Sequence, residues 1–370
     1  MTLKGGLQVY IMKRLMDSTK ILWHMDRVID YYDKGKKVAP LLINIGATKM
    51  CNANCIYCYG TFQGKDQRSS IDRKPLLKLF KDAPKLGVKA IEIIGDGEPT
   101  LNPHIYDAMN LGKKGGLDMA FSTNGVLLNT DEKIDCVLRN CTWMRFNLSA
   151  GTSEGYRKIH RIPAFDIVVK NIRRAVEIKR KKGYTCDIGL QAVYVPGLMD
   201  KEMIEESKLA INLGVDYFLI KQCSLPDDNS VCDVSFDVND YEKPEIIEVL
   251  KKCESMSTND TSIVVKWEFM KIGKRRPYDR CVDVPLLFQV SGNGKCYPCG
   301  YLFGNEEFCY GDLNEQSLGE ILKSDRYWKI VDRMINNFNV HKECAGCCRH
   351  DKINEFIWDY IHKPSGVNFI

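Results

Sequence analysis

Long apolar runs are missing from this chain. No stretch of ~18 uncharged apolar residues occurs, which excludes a conventional membrane-spanning helix. Dense runs of one charge are missing as well. Lys plus Arg number 53 against 48 Asp plus Glu, a net charge of +5 that is too slight to argue for nucleic acid as the partner. There is no low-complexity linker and no sequence repeat. Between Met1 and Met16 the order of charged, apolar and small residues that marks a secretory signal is absent, so a cytoplasmic protein without a membrane partner is expected. With 44% hydrophobic and 27% charged residues the composition is ordinary for a globular protein, and wholesale disorder is excluded. A length of 370 residues suggests about two domains.

What the chain does have is cysteine. There are 16, fewer than a disulfide scaffold carries yet many for a protein without an export signal. In a reducing compartment such residues are metal ligands or catalytic groups more often than staples. Cys51, Cys55 and Cys58 form one tight group. Cys281, Cys296, Cys299, Cys309, Cys344, Cys347 and Cys348 form a second, and the others read as small buried hydrophobes.

Between residues 39 and 225, short apolar runs alternate with helical patterns. Strands are expected at Leu41–Ile45, Ala90–Ile94, Met119–Ser122, Met144–Ser149, Ile188–Val195 and Tyr217–Lys221. Helices are expected at Pro75–Asp82, Ile105–Lys113, Ile167–Lys181 and Lys201–Leu213. Apolar strands separated by helices imply an α/β fold with parallel pairing. Six such units suit a partial (βα)6 barrel, although a doubly wound sheet would show the same periodicity. In either case ligand chemistry belongs at the carboxyl ends of the strands. Residues 1–38 are a lead-in with one helix, Leu22–Tyr32. Residues 226–280 connect, with a helix at Tyr241–Cys253 and a strand at Ser262–Met270. Residues 281–350 form a cysteine-rich module, and 351–370 a tail. In the module, Leu286–Val290 and Lys295–Tyr297 flank Asn293-Gly294, a pair that favours hairpin turns. Helices around Ser317–Leu322 and Tyr327–Ile335 follow.

Three thiols within eight residues, directly after the first strand, suit zinc or an iron–sulfur cluster. Asn52, Ala53 and Asn54 let the loop wrap tightly. A closed zinc site would need a fourth ligand, and none lies nearby in sequence. Cys51-x3-Cys55-x2-Cys58, with Tyr57 before the last cysteine, resembles the signature of radical S-adenosylmethionine (SAM) enzymes. The resemblance extends through the barrel. Gly95-Asp96-Gly97-Glu98-Pro99 is similar to the family's Gly-Gly-Glu-Pro segment, with Asp96 where Gly is usual. Its backbone and glutamate are then expected to bind the methionine amino group. Thr123-Asn124-Gly125 resembles the ribose-contacting segment, Ser149 stands where a serine meets SAM, and Arg161 where an arginine pairs its carboxylate. The resemblance implies a SAM-binding [4Fe-4S] cluster and a low-potential electron donor such as flavodoxin or ferredoxin. It also implies reductive cleavage of SAM to a 5′-deoxyadenosyl radical that abstracts hydrogen from a substrate.

In the second group, Cys296-x2-Cys299 and Cys344-x2-Cys347 alone would also fit a zinc ribbon. Beside such a barrel, Cys281, Cys299, Cys344 and Cys347 resemble the ligands of a twitch module with one auxiliary [4Fe-4S] cluster. Cys296, Cys309 and Cys348 are left over, and a larger SPASM module would use more of them for a second cluster. Twitch-bearing relatives imply oxidation of a small polar substrate such as a sugar, cyclitol or nucleotide conjugate, with the auxiliary cluster accepting the electron. A SPASM-type peptide or protein maturase is the alternative, and a zinc-binding interaction protein the reading from another class. The base such oxidation needs is sought among Lys221, Tyr194, Arg145 and His160, at or just after strand ends; each is read as structural or SAM-binding before basic, and Lys221 is singled out for catalytic or substrate contact.

Overall fold

The computed structural model describes residues 18–58, 69–223, 234, 236–270, 276–344, 348–363 and 365–369. Its centre is one sheet of ten strands. In chain order they are β1 Leu42–Ile45, β2 Ala90–Ile93, β3 Asp118–Thr123, β4 Trp143–Asn147, β5 Asp187–Tyr194, β6 Tyr217–Gln222, β7 Ser262–Val265, β8 Leu287–Val290, β9 Lys295–Tyr297 and β10 Gly311–Asp312. The spatial order is β10-β9-β8-β1-β2-β3-β4-β5-β6-β7. Strands β1 to β7 pair in parallel in sequence order, which makes the partial barrel. The expected six strands are present, and β7 extends them at one edge. At the other edge β8 pairs in parallel with β1, while β9 and β10 continue antiparallel. The cysteine-rich module is therefore built into the barrel's own sheet.

The two faces of the sheet differ chemically, because side chains alternate along a strand. Ile43, Ile45, Ile91, Ile93, Phe121, Met144, Phe146, Ile188, Leu190, Phe218 and Ile220 have no exposure and pack under the helices in one apolar core. Residues paired across the opposite face include Asn44 with Glu92, Ser122 with Arg145, Asn147 with Gln191, and Val193 with Lys221. The strands are thus less uniformly apolar than expected: their inner face is polar. Gly189 lies on that face beside Tyr217, and a Cβ there would stand 2.1 Å from the tyrosine ring. Only glycine lets β5 pass.

Four helices match expectation closely: Arg73–Asp82, Ile105–Lys114, Phe165–Lys182 and Asp200–Leu213. Two more, Asp131–Asn140 and Ser153–His160, are short and highly charged, so their apolar period is faint. Each is opened by a threonine whose side chain accepts a backbone N–H, Thr130 from Lys133 and Thr152 from Gly155. The expected strand Ser262–Met270 ends early. Beyond Val265 the chain turns into the helix Trp267–Met270, drawn in by Glu254, which accepts from Val265 N (3.2 Å) and Trp267 Nε1 (2.8 Å). The lead-in is a 3-10 segment, Ser18–His24, followed by the helix Met25–Tyr32.

The helix Asp351–His362 lies within the expected tail and joins the two chain ends. Ile357 packs with Ile21, Val28, Leu41, Val282 and Leu286, and Tyr360 donates to Asp33 (2.6 Å). Asn354, only 1% exposed, accepts from the backbone N–H groups of Val282 (2.7 Å) and Asp283 (3.1 Å). That helix thereby fixes the backbone directly after Cys281. Asn354→Ala should leave both N–H groups unpaired and cost about 1–3 kcal/mol. Denaturant unfolding reads this as a lower midpoint at unchanged slope, and an unchanged midpoint would contradict the assignment.

Candidate active site

The loop after β1 carries Cys51, Cys55 and Cys58 at the carboxyl end of the sheet. Its root is packed against the loop after β2. Glu98 N donates to Met50 O (2.8 Å), and a Cβ on Gly97 would lie 2.4 Å from the Met50 and Thr48 carbonyls. Its far side is stitched to the end of helix Ser153–His160 by Asn54 N to His160 O (3.1 Å) and Ile56 N to Ile159 O (3.0 Å). Each of the three thiols lies close enough to influence another. Burial and neighbouring charge push Cys51 up to about 11 and Cys55 well above the usual thiol range, so iron binding must displace protons. Three thiolate donors on a short loop, with Cys51 exposed, fit an iron–sulfur cluster with one open iron. Among the described residues no three ligating side chains surround a single-ion centre. A cubane cluster spaces its thiolates more widely than one ion does.

His160 is not a base at the mouth. It is completely buried, stacked on Tyr156 (4.4 Å between centroids), with Nδ1 3.0 Å from Cys55 Sγ and Nε2 hydrogen-bonded to Leu148 O. Burial holds it down at about 4, so it is a neutral wall behind Cys55. Arg161 follows in a left-handed conformation (φ 58°) that ends the helix, and its side chain is exposed at the loop's edge.

The strand-end residues converge, and several have partners within the protein. Glu98 is 3% exposed. Its Oε1 accepts from Thr100 N (3.1 Å), Thr100 Oγ1 (2.7 Å) and Thr123 Oγ1 (2.6 Å), and its Oε2 from Asn124 N (2.7 Å). Its carboxylate ties β2 to β3. Asn124 continues the tie by donating to Asn52 Oδ1 (2.6 Å) in the cysteine loop. Ser149, expected to meet SAM, is fully buried in a left-handed conformation (φ 52°). Its hydroxyl is engaged by Tyr57 OH (2.7 Å) and Val193 N (3.1 Å), so it is a post behind Tyr57. Asp96 has protein partners of its own. It accepts from Ser291 Oγ (2.7 Å) and Gly292 N (3.0 Å), clamping the turn after β8 onto the loop after β2.

In the C-terminal module Cys281, Cys299, Cys344 and Cys348 act on one another electrostatically and are all raised by burial, Cys299 to about 11. Cys347, the expected fourth ligand, lies outside the described residues. Cys348 is the described member of that adjacent pair and belongs to the group. Cys296 and Cys309 sit apart on β9 and before β10, their thiols donating to Gly294 O and Gly311 O (3.6 Å each).

On the inner face Arg145 donates to Gln191 (2.9 Å), pairs with Glu92 (3.4 Å) and lies over the Trp143 ring at 4.2 Å. It is a paired cation, in line with the structural reading of this position. Tyr194 is buried, with its OH on Asp200 (2.5 Å), and is structural. Lys221 faces this group near the end of β6. Burial, then Arg349 and Arg145, bring it down to about 7. Arg349, Glu92 and Gln191 are additions that sequence reasoning missed. The signal for Glu92 is a lone charge inside the apolar run Ala90–Ile93. Because Lys221 is lower in the folded than in the unfolded chain, its protonation opposes folding most below about pH 7, and that penalty is relieved as pH rises towards the ordinary lysine value. In paired pH series, Lys221→Met should stabilise the protein below about pH 7 and lose this advantage towards pH 10. A pH-independent difference would contradict the placement.

Comparison with known proteins agrees with this geometry. Residues 45–210 match the radical SAM superfamily and residues 281–348 the SPASM iron–sulfur cluster-binding domain. The chain is 25% identical over 319 residues to a tungsten-containing aldehyde ferredoxin oxidoreductase cofactor-modifying protein of Pyrococcus furiosus, covering 82% of this chain and 86% of that one. It is 24% identical over 332 residues to an AdoMet-dependent heme synthase of Methanosarcina barkeri, covering 85% and 90%. In fold it is similar to SuiB of Streptococcus suis bound to S-adenosylmethionine, with a TM-score of 0.63, 17% identity, and 89% and 78% of the two chains covered. It is also similar to anSMEcpe with bound AdoMet, with a TM-score of 0.58, 14% identity, and 89% and 99% covered. With the three-cysteine loop at the mouth of a partial barrel and both family matches in register with it, the chain belongs to the radical SAM enzymes that carry a C-terminal SPASM iron–sulfur domain.

Proposed function

We propose that this enzyme oxidises a small polar molecule on the inner face of its barrel. Cys51, Cys55 and Cys58 would hold the SAM-binding [4Fe-4S] cluster. Cys281, Cys299, Cys344 and one thiol of the Cys347-Cys348 pair would hold a single auxiliary cluster that accepts the substrate's electron. Bound together, SAM and the first cluster supply a 5′-deoxyadenosyl radical for hydrogen abstraction. The residues of the chain do the rest. Gly95 to Gly97 present backbone to the methionine end of SAM, Tyr57 and Asn124 border the pocket, and Lys221 faces the substrate.

One observation supports this reading most: the backbone next to Cys299 approaches the polar face that the first loop borders. Gly300, next to Cys299, approaches Gln289 on β8, with 3.5 Å between a Cβ built there and Gln289 Oε1. Gln289 pairs with Asn44 on the inner face. An inner face that carries Glu92, Arg145, Gln191 and Lys221 suits a polar substrate. The two near-full-length relatives, a cofactor-modifying protein and a heme synthase, bear names consistent with small-molecule chemistry.

Anaerobic reconstitution should give about eight iron per chain, and dithionite with SAM should give 5′-deoxyadenosine. Replacing Cys51, Cys55 and Cys58 together by Ala should abolish 5′-deoxyadenosine and leave about four iron. Zinc without iron, or SAM cleavage surviving in the triple variant, would contradict the proposal. About twelve iron would show a second auxiliary cluster.

A further inference from the structure

Two segments far apart in the chain close on one peptide at the root of the cysteine loop. Gly97, after β2, lies so near it that a Cβ there would stand 2.7 Å from Lys49 C. Gly292, in the turn after β8, is as close from the module's side, where a Cβ would stand 2.5 Å from Thr48 O. A side chain at either position would push its segment off the Thr48–Lys49 peptide. Thr48 is fully buried, and Cys51 follows shortly after it. Asp96 joins the two segments by accepting from Ser291 Oγ (2.7 Å) and Gly292 N (3.0 Å). Its Oδ1 fills the place that a Cβ on Gly46 would take. Gly46 N in turn donates to Val290 O (2.8 Å) at the end of β8. The ends of β1, β2 and β8 thus meet backbone to backbone, with one carboxylate between them. The other side of the same segment stays open. Gly95 is exposed, and among the described residues the carbonyls of Gly95, Asp96 and Gly97 accept no hydrogen bond. A run of free carbonyls suits a cationic donor such as an ammonium group.

We infer that Asp96 is a positioning residue for SAM: by latching the turn after β8 onto the loop after β2, it makes the C-terminal module part of the SAM site. This rests on the backbone of Gly95 to Gly97 meeting the methionine end of SAM, as proposed above. Glycines on both sides give this segment more backbone freedom than other residues would. Asp96 removes that freedom before the ligand arrives, so the ordering cost does not fall on binding. The anchor has to come from outside the loop. Ser291 and Gly292 supply it, because they directly follow β8, which is held in the sheet by its pairing with β1. A glycine at position 96, usual in the family's segment, can form neither hydrogen bond.

The test is SAM affinity in the anaerobically reconstituted full-length protein. It is read as the SAM concentration that half-shifts the paramagnetic resonance signal of the first reduced cluster, and as KM for 5′-deoxyadenosine formation. Asp96→Ala should raise both by about tenfold, with a smaller change in kcat. Ser291→Ala, which alters only the module's side of the latch, should raise both by about threefold, and should have no effect in the Asp96→Ala background. Asp96→Asn can still accept from Gly292 N and can donate to Ser291 Oγ, so it should keep most of the affinity. Iron content is measured for every variant. If Asp96→Ala loses iron, Ser291→Ala and Asp96→Asn decide the matter without it. The latch is overturned if Asp96→Ala or Ser291→Ala binds SAM as the wild type does, if the two effects add, or if Asp96→Asn is as weak as Asp96→Ala. A wild type whose signal ignores SAM and that yields no 5′-deoxyadenosine would instead overturn the proposed function.

Discussion

A buried carboxylate must be answered by donors, and the answer given to Glu98 organises the catalytic end of this molecule. Four donors from Thr100, Thr123 and Asn124 converge on it. The cost of removing its charge from water is met only while β2 and β3 end at the same level. Asn124 then reaches Asn52, so the cysteine loop inherits that level. The loop's other side is set by the buried His160 wall. A three-thiol loop without these ties would be too mobile to hold a cluster and leave one iron open. Here both sides are fixed by hydrogen bonds within the protein.

The auxiliary module is held by the same logic at longer range. Strand β8 adds to β1, and Asp96 takes the turn after β8 into the loop after β2. The helix Asp351–His362 fixes the chain after Cys281 from behind through Asn354. The two cysteine groups are therefore parts of one sheet with a shared inner face. An electron leaving a substrate on that face would not have to cross a mobile domain boundary.

Much of this was legible in the sequence, and what was missed shares a cause. The spacing of Cys51, Cys55 and Cys58, the outer-face isoleucines and the β8–β9 hairpin are local patterns. Even the hairpin differs in detail, since Gly294 alone takes positive φ (92°) while Asn293 accepts from Lys295 N. Asp96 reads as a departure within a SAM-binding segment. Its partners are 195 and 196 residues away, and no local signal shows them. Glu98 and Ser149 are expected at the ligand because motifs mark position. Motifs do not tell which way a side chain turns once its neighbours compete for it. The pairing of β8 with β1 is likewise a product of topology.

The central claim is that two thiolate groups on one sheet hold chemically different clusters, one open to SAM and one closed. Electron paramagnetic resonance of the dithionite-reduced protein, recorded with and without SAM, tests it most directly. Two reduced-cluster signals are predicted, of which only one shifts when SAM is added. A single signal, or two signals that both ignore SAM, would contradict the account.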